Sequence, residues 1–219
     1  MTFRVFVQAR MSSERFPGKM LAPFRGRPLI ASLLDRLGPD LLSRTVLLTS
    51  DHATDDPLAD FAERRCEVPV FRGELQNVAA RFQACLAAYP CEWFVRLSGD
   101  SPLMSGALVK TMLGFRGPGH DVVSNVAKRT FPPGQSVECI RSDVFAALQA
   151  DALTAAQQEH VTKVFYDGQG NWRLRSIVCR EPHLASTRMV VDSLDDLRAL
   201  ETLATDPSAP LAALADIEA

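Results

Sequence analysis

Short apolar runs alternate along the first half of the chain with segments whose apolar residues recur every three or four positions. The short runs, Arg4 to Ala9, Thr45 to Ser50, Val68 to Phe71 and Trp93 to Leu97, read as strands buried on both faces. Between them, Pro28 to Leu37, Pro57 to Arg65 and Gln76 to Tyr89 carry helical periodicity. Strand and helix in turn predict right-handed βαβ crossovers and an α/β fold, with a mainly parallel, Rossmann-like sheet covered by helices on both faces. In such a sheet the ligand-binding residues collect at the carboxyl ends of the strands.

A further helix is expected near Ala107 to Phe115, after which the rhythm loosens. Asp121 to Asn125 and Ser136 to Arg141 read as extended, Asp143 to Gln149 and Ala156 to Phe165 as helical. Pro132, Pro133 and Gly134 interrupt Ala127 to Gln135, so an excursion over 126–180 is expected to build an acceptor wall or a dimer arm. The chain returns through Trp172 to Val178 and Met189 to Val191 and enters a helix at Ser193 to Ala204, with Ser193 as N-cap and Asp195 and Asp196 in its first turn. The tail after Asp206, with Pro207 and Pro210, is expected to pack loosely. A length of 219 residues without an internal repeat suits one domain over 1–219.

Composition narrows the function classes. A hydrophobic share of 47% is ample for a core, and a formal net charge of -2 provides no field of the kind a nucleic-acid binder carries. Five cysteines without a C-x-x-C pair argue against a disulfide framework or a zinc site. No apolar run approaches the roughly 20 residues that cross a bilayer. The expectation is a cytoplasmic protein without nucleic-acid or membrane partners.

The first strand runs straight into Arg10-Met-Ser-Ser-Glu-Arg15-Phe-Pro-Gly-Lys19. Arg10, Arg15 and Lys19 can converge on a triphosphate, while Ser12, Ser13 and the loop N–H groups supply neutral donors and Gly18 admits the anion close to the backbone. The duller reading is a solvated basic loop before a Pro-Gly turn. A second feature is Phe94-Val-Arg-Leu-Ser98-Gly99-Asp100, an apolar strand that ends in an acid, and Arg188-Met-Val-Val-Asp192 repeats that pattern. Mg²⁺ takes one or two protein carboxylates and keeps waters and substrate phosphates, so Asp100 and Asp192 form a metal pair; the rival role for each is helix capping. Glu159 and His160, neighbours on an expected helix, do not share a face and alone read as solvent contacts. Arg72 lines the cleft or sits in an exposed turn. Patterns for a nucleophile elbow, a P-loop and a dinucleotide fingerprint are absent, and His52, His120 and His183 lack ligand spacing.

With Arg10, Ser13, Arg15, Pro17, Gly18 and Lys19 in one loop and Gly99-Asp100-Ser-Pro-Leu in another, the chain resembles the cytidylyltransferases. It looks closest to the spore-coat-polysaccharide (SpsF-type) branch, which is similar to the enzymes that activate Kdo and sialic acids as CMP-sugars. Asp56-Pro57-Leu58, Val70-Phe71-Arg72-Gly73, Pro133-Gly134 with Glu138, Glu159-His160-Val161-Thr162 and Val191-Asp192 extend the match over nearly the whole chain. The resemblance implies a nucleotide-diphospho-sugar transferase (GT-A-like) fold, CTP as donor, Mg²⁺ as cofactor, pyrophosphate as product and a homodimer. It implies nucleotide contacts from Ala9, Arg10, Met11, Ser12, Ser13, Arg15, Lys19, Ser98 and Gly99, with Arg10, Lys19 and Asp100 catalytic and Asp100 and Asp192 on the metal. Arg72, Glu138, Glu159 and His160 fall on the side of a small-molecule acceptor. Gln76-Asn77, where the branch often has acids, and Ser98, where Kdo-activating relatives have glutamine, bear on the acceptor. Two other functions are compatible with the fold: a glycosyltransferase using a nucleotide-sugar donor, against which Asp100-Ser101-Pro102 offers one acid rather than Asp-x-Asp, and a silent nucleotide-binding homologue, against which stand both acids and all three loop cations.

Overall fold

The structure, a computed structural model, describes residues 1–168, 170–205 and 217–218. Seven strands form one sheet: β1 (Phe3–Gln8), β2 (Thr45–Ser50), β3 (Val70–Gly73), β4 (Trp93–Ser98), β5 (Val122–Ser124), β6 (Glu138–Arg141) and β7 (Leu174–Ser176). Their spatial order is β3-β2-β1-β4-β6-β5-β7. Neighbours pair in parallel except β6, which runs antiparallel between β4 and β5. The mainly parallel α/β sheet expected from the alternating pattern is present.

Helices α1 (Leu29–Leu37), α2 (Asp56–Arg65), α3 (Val78–Ala88), α4 (Gly106–Gly114), α5 (Ser142–Ala146), α6 (Ala155–Glu159) and α7 (Leu194–Thr205) cover both faces. Strand alternation sorts the core. Val5, Val7, Leu47, Val95 and Leu97 point to the face covered by α1, α2, α4 and α7, where Leu33, Leu58, Leu108 and Leu197 meet them. Phe6, Val46, Leu48 and Phe94 point to the other face, against Phe82 of α3 and Phe145 of α5. Phe6 stacks on Phe94 with ring centroids 5.3 Å apart, and Phe145 meets Phe94 edge-on at 5.1 Å. Fully buried aromatic side chains of this kind cost about 3–5 kcal/mol when truncated to alanine.

On that aromatic face the rows turn polar toward the carboxyl ends. Phe6 is followed at alternate positions by Gln8 and Arg10, and Phe94 by Arg96, Ser98 and Asp100. The cleft described below is the polar continuation of the aromatic layer.

Several expected elements differ. The helix expected over Ala156 to Phe165 breaks after Glu159, because His160 leaves helical geometry (φ -100°, ψ 68°) and a separate 3-10 turn, Lys163–Phe165, drives Val164 and Phe165 into the aromatic layer. Met189 to Val191 joins no ladder: the Met189 N–H donates to the Pro133 carbonyl and the Val191 N–H to the Asp100 carbonyl, so two loops, not a strand, receive it. Trp172 to Val178 shortens to β7 plus the two-residue strand Val178–Cys179. Pro23–Phe24 and Arg27–Pro28 form a tight hairpin through left-handed Arg25 and Gly26 that the helical reading of Pro28 did not foresee. The expected excursion over 126–180 contains β6 and β7 of the main sheet, which leaves the loop before β6 and the helical cover after it as departures from the layer. Ser193 caps α7 as expected, its hydroxyl accepting from the Asp196 N–H while Asp196 Oδ2 accepts from the Ser193 N–H. The tail from Asp206 to 216 lies outside the described residues.

Candidate active site

A cleft of about 620 Å³, within the range for small-molecule sites, opens over the carboxyl ends of β1 and β4. Five cations (Arg10, Arg15, Lys19, Arg81, Arg96) and four carboxylates (Glu14, Asp100, Glu159, Asp192) line it, with Gln8, Ser13, Ser98 and His160 among the neutral or titratable neighbours.

The loop after β1 is shaped from within. Asp55, fully buried at the start of α2, accepts from the Met11 N–H at 2.7 Å, while its other oxygen accepts from the Ser50 N–H at 3.0 Å and from the Ser50 hydroxyl. Burial alone would raise the Asp55 carboxyl, yet these hydrogen bonds hold it below the usual carboxylate range. The Met11 carbonyl then accepts from both the Ser13 and Gly18 N–H groups, and Gly18 turns the chain in the left-handed region (φ +77°) that glycine adopts without strain. This fold-back brings Lys19 from the far end of the loop to the end of β4.

Gly99 lets β1 and β4 close up at their ends. Its N–H donates to the Gln8 carbonyl at 2.8 Å, and a Cβ there would lie 2.8 Å from Ala9 Cβ and 3.1 Å from the Gln8 carbonyl oxygen. Asp100 follows at the cleft mouth. Its Oδ2 lies 3.1 Å from Lys19 Nζ, which also donates to Asp192 Oδ1 at 3.3 Å and to the Val191 carbonyl at 2.7 Å. Lys19, 6% exposed, is therefore clasped between the two acids, and an ammonium with three N–H donors has none left in this state for a phosphate. Asp192 Oδ2 faces Arg188 at 2.6 Å and Arg15 at 3.1 Å. Burial pushes the Asp192 carboxyl up, but Lys19, Arg15 and Arg188 together hold it below its ordinary value.

The other end of the cleft has a different construction. Arg96 lies on the floor, its Nη1 2.6 Å from Glu138 Oε2, with Nε and Nη2 reaching Gln8 Oε1 at 3.4 and 3.2 Å. Glu138 is 2% exposed, and its second oxygen accepts from the Tyr166 hydroxyl at 2.6 Å, which lies 2.7 Å from the Ser124 hydroxyl. Burial, and then the adjacent Glu138, push the Tyr166 phenol upward, so it stays protonated. Arg96 and Glu138 are direct cross-strand partners, as are Glu138 and Ser124. Tyr166, just after the Lys163–Phe165 turn, ties the segment carrying Glu159 and His160 to this row.

Of the expected site residues, Ala9, Arg10, Ser13, Arg15, Lys19, Ser98, Asp100, Glu159, His160 and Asp192 line one cleft. Arg10 bridges to Glu159 across it at 3.4 Å. Met11, Ser12 and Gly99 are not on the lining: Met11 anchors the loop, Ser12 is exposed, and Gly99 acts by close approach. Glu138 lies beneath the floor rather than on it. Arg72 stands apart, with its guanidinium committed to the Ser50 and His52 carbonyls and to Asp56 at 2.6 Å. Gln8, Arg81, Arg96, Arg188 and Tyr166 join the site or its support without a sequence signal that marks them for it. Arg81, 1% exposed on α3, donates to the Glu74 and Leu75 carbonyls and fixes the turn after β3.

The model of the cytidylyltransferase family matches residues 5–201. The spore coat polysaccharide biosynthesis protein SpsF of Bacillus subtilis is 27% identical over 207 residues, covering 90% of this chain and 84% of that one. The 3-deoxy-manno-octulosonate cytidylyltransferase of Haemophilus influenzae is 29% identical over 110 residues, half of this chain and 43% of its own. Among solved structures, a cytidylyltransferase from Leptospira borgpetersenii superposes with a TM-score of 0.89 at 23% identity, over 98% of this chain and 92% of that one. No helix among the described residues is long and apolar enough to cross a membrane. A family match running from β1 to α7, over a sheet whose strand ends gather loop cations and two acids, identifies the chain as a nucleotidyltransferase belonging to the cytidylyltransferase family.

Proposed function

We propose that the protein transfers CMP from CTP to an oxygen of a small sugar, sugar acid, phosphate or phosphonate acceptor and releases pyrophosphate, with Mg²⁺ held by Asp100 and Asp192. The observation that carries this reading is the convergence of both carboxylates on one cation, Lys19, at the mouth of a cleft whose loop presents Arg10 and Arg15. Two hard oxygen donors already aimed at a shared point suit a magnesium ion, whose remaining positions are filled by water and substrate phosphate.

Bound there, the ion would neutralise charge on the triphosphate and orient its α-phosphorus. Arg10, paired here with Glu159, and the 70%-exposed Arg15, paired with Asp192, would turn to the charge that accumulates on departing pyrophosphate. The Ser13 and Ser98 hydroxyls add neutral donors. The acceptor would enter from the side of Arg96, Glu159 and His160, opposite the loop, so that its oxygen attacks in line. The reading includes a homodimer, which light scattering of the purified protein would test directly.

The deciding experiment is pyrophosphate release with each of CTP, ATP, GTP and UTP across a panel of acid sugars, neutral sugars and phosphonates, with and without Mg²⁺. Release confined to CTP and Mg²⁺ supports the proposal. Release of nucleoside diphosphate from a nucleotide sugar instead, or nucleotide binding with no turnover on any acceptor, would replace it.

A further inference from the structure

We propose that Lys19 is an exchangeable stand-in for the divalent cation: it occupies the metal pair in the nucleotide-free enzyme and leaves it only when metal and polyphosphate arrive together. The inference rests on the metal assignment above and adds an order of events to it.

The geometry is unusually complete for a lysine in an open cleft. All three N–H donors are used, on Asp100 Oδ2, Asp192 Oδ1 and the Val191 carbonyl, and the side chain is 7% exposed while Asp100 and Asp192 are 19% and 24% exposed. The remaining oxygen of Asp192 is shared by Arg15 and Arg188. A free divalent ion must therefore displace a charge-assisted ammonium contact from each acid and gains no new counter-charge for the lysine it evicts. An evicted ammonium in a partly buried site, without an anion to meet it, is costly. A polyphosphate changes the balance, because its oxygens accept from the released Lys19 and Arg15 while also completing the shell of the ion. Metal and nucleotide then favour one another's binding, and the coupling is reciprocal.

The test is manganese binding followed by electron paramagnetic resonance and by equilibrium dialysis, so that retention on the protein, not activity, is read. Nucleotide-free wild type should bind Mn²⁺ weakly, and Lys19→Met should bind it about tenfold or more tightly, a span typical of a coupling between sites. Lys19→Gln provides the same comparison if the methionine variant does not fold. Adding Asp192→Asn to Lys19→Met should erase the gain. Equal Mn²⁺ affinity in wild type and the Lys19 variants, with Mn²⁺ still retained by wild type in the presence of CTP, overturns the exchange while leaving the metal assignment standing. Absence of protein-bound Mn²⁺ in every variant, with CTP present as well, overturns the metal assignment and the exchange with it.

Discussion

The two ends of the cleft are built on opposite principles. At the loop end, Lys19, Arg15, Arg188, Asp100 and Asp192 satisfy one another through ionic contacts near the surface, several of them between partly exposed groups. At the other end, Arg96 on the floor is held from below by Glu138, which Tyr166 and Ser124 complete, with Glu138 almost without solvent access. The contacts of the exposed Arg15 and Arg188 are screened and readily rearranged, and the buried Lys19 gives up its acids only to an anion that replaces them, whereas the network around Glu138 is costly to break because each lost partner strands a polar group. The loop end is thus suited to trade partners with a ligand, and the far end to hold a fixed shape, as the proposed acceptor side requires.

That contrast is sharpest at Asp100. Asp100→Asn should lower Mg²⁺-dependent pyrophosphate release by about a thousandfold, the scale of losing one preorganised charge partner, with the melting temperature little changed. Near-normal release would show that this end does not hold the metal.

The reverse pattern is expected at Glu138. Glu138→Gln should cost about 3 kcal/mol in denaturant unfolding, because it removes the charge facing a half-buried guanidinium. A loss below a few tenths of a kcal/mol would mean that water, rather than Glu138, satisfies Arg96. Tyr166→Phe tests the same network more gently. It should cost about 2 kcal/mol, the scale of a hydrogen bond to a charged group, and raise the KM for acceptor more than that for CTP, since Tyr166 ties down the segment bearing Glu159 and His160; equal effects on both constants would break the division of the cleft.

At the loop end one effect is confined to acid. Burial would raise the Asp196 carboxyl, but Arg188 at 2.8 Å, the Asp192 N–H and Ser193 hold it at about 2, down from the ordinary 3.8. A carboxylate depressed by folding contributes stability that is present above pH 3.8 and is lost as pH falls toward about 2, because the unfolded chain binds the proton first. Asp196→Asn should flatten the acid limb of the stability curve in that window. An unchanged acid limb would remove Asp196 from the cationic cluster.

What could be read from the sequence follows the same divide. The loop from Arg10 to Lys19 is contiguous, so its cations announce themselves, and Asp100 and Asp192 each end an apolar run. Arg96 carries no such signal, because within Trp93–Ser98 it reads as one polar break in a buried strand; only its register with Glu138 of β6 gives it a partner. Tyr166 was hidden because nothing in Glu159 to Phe165, which lacks glycine and proline, marks the break at His160. Arg72 misled in the other direction. Its place at the end of β3 suggested the cleft, but nearby carbonyls and Asp56 draw its guanidinium away.

The pairing of Arg96 with Glu138 has a consequence for the assembly of the sheet itself. Within the seven-stranded sheet of the described residues β6 runs antiparallel to both adjacent strands, inserted between β4 and β5, and the residues beside Glu138, Val137 and Cys139, are as apolar as a buried strand requires. A slip of one residue would bring one of them opposite Arg96 and turn Glu138 toward the apolar layer on the other side. The misaligned sheet would then hold a stranded guanidinium on one face and a stranded carboxylate on the other. A single ion pair at the base of the cleft thereby distinguishes the right alignment from its nearest competitors, and ties the fidelity of folding to the shape of the cleft.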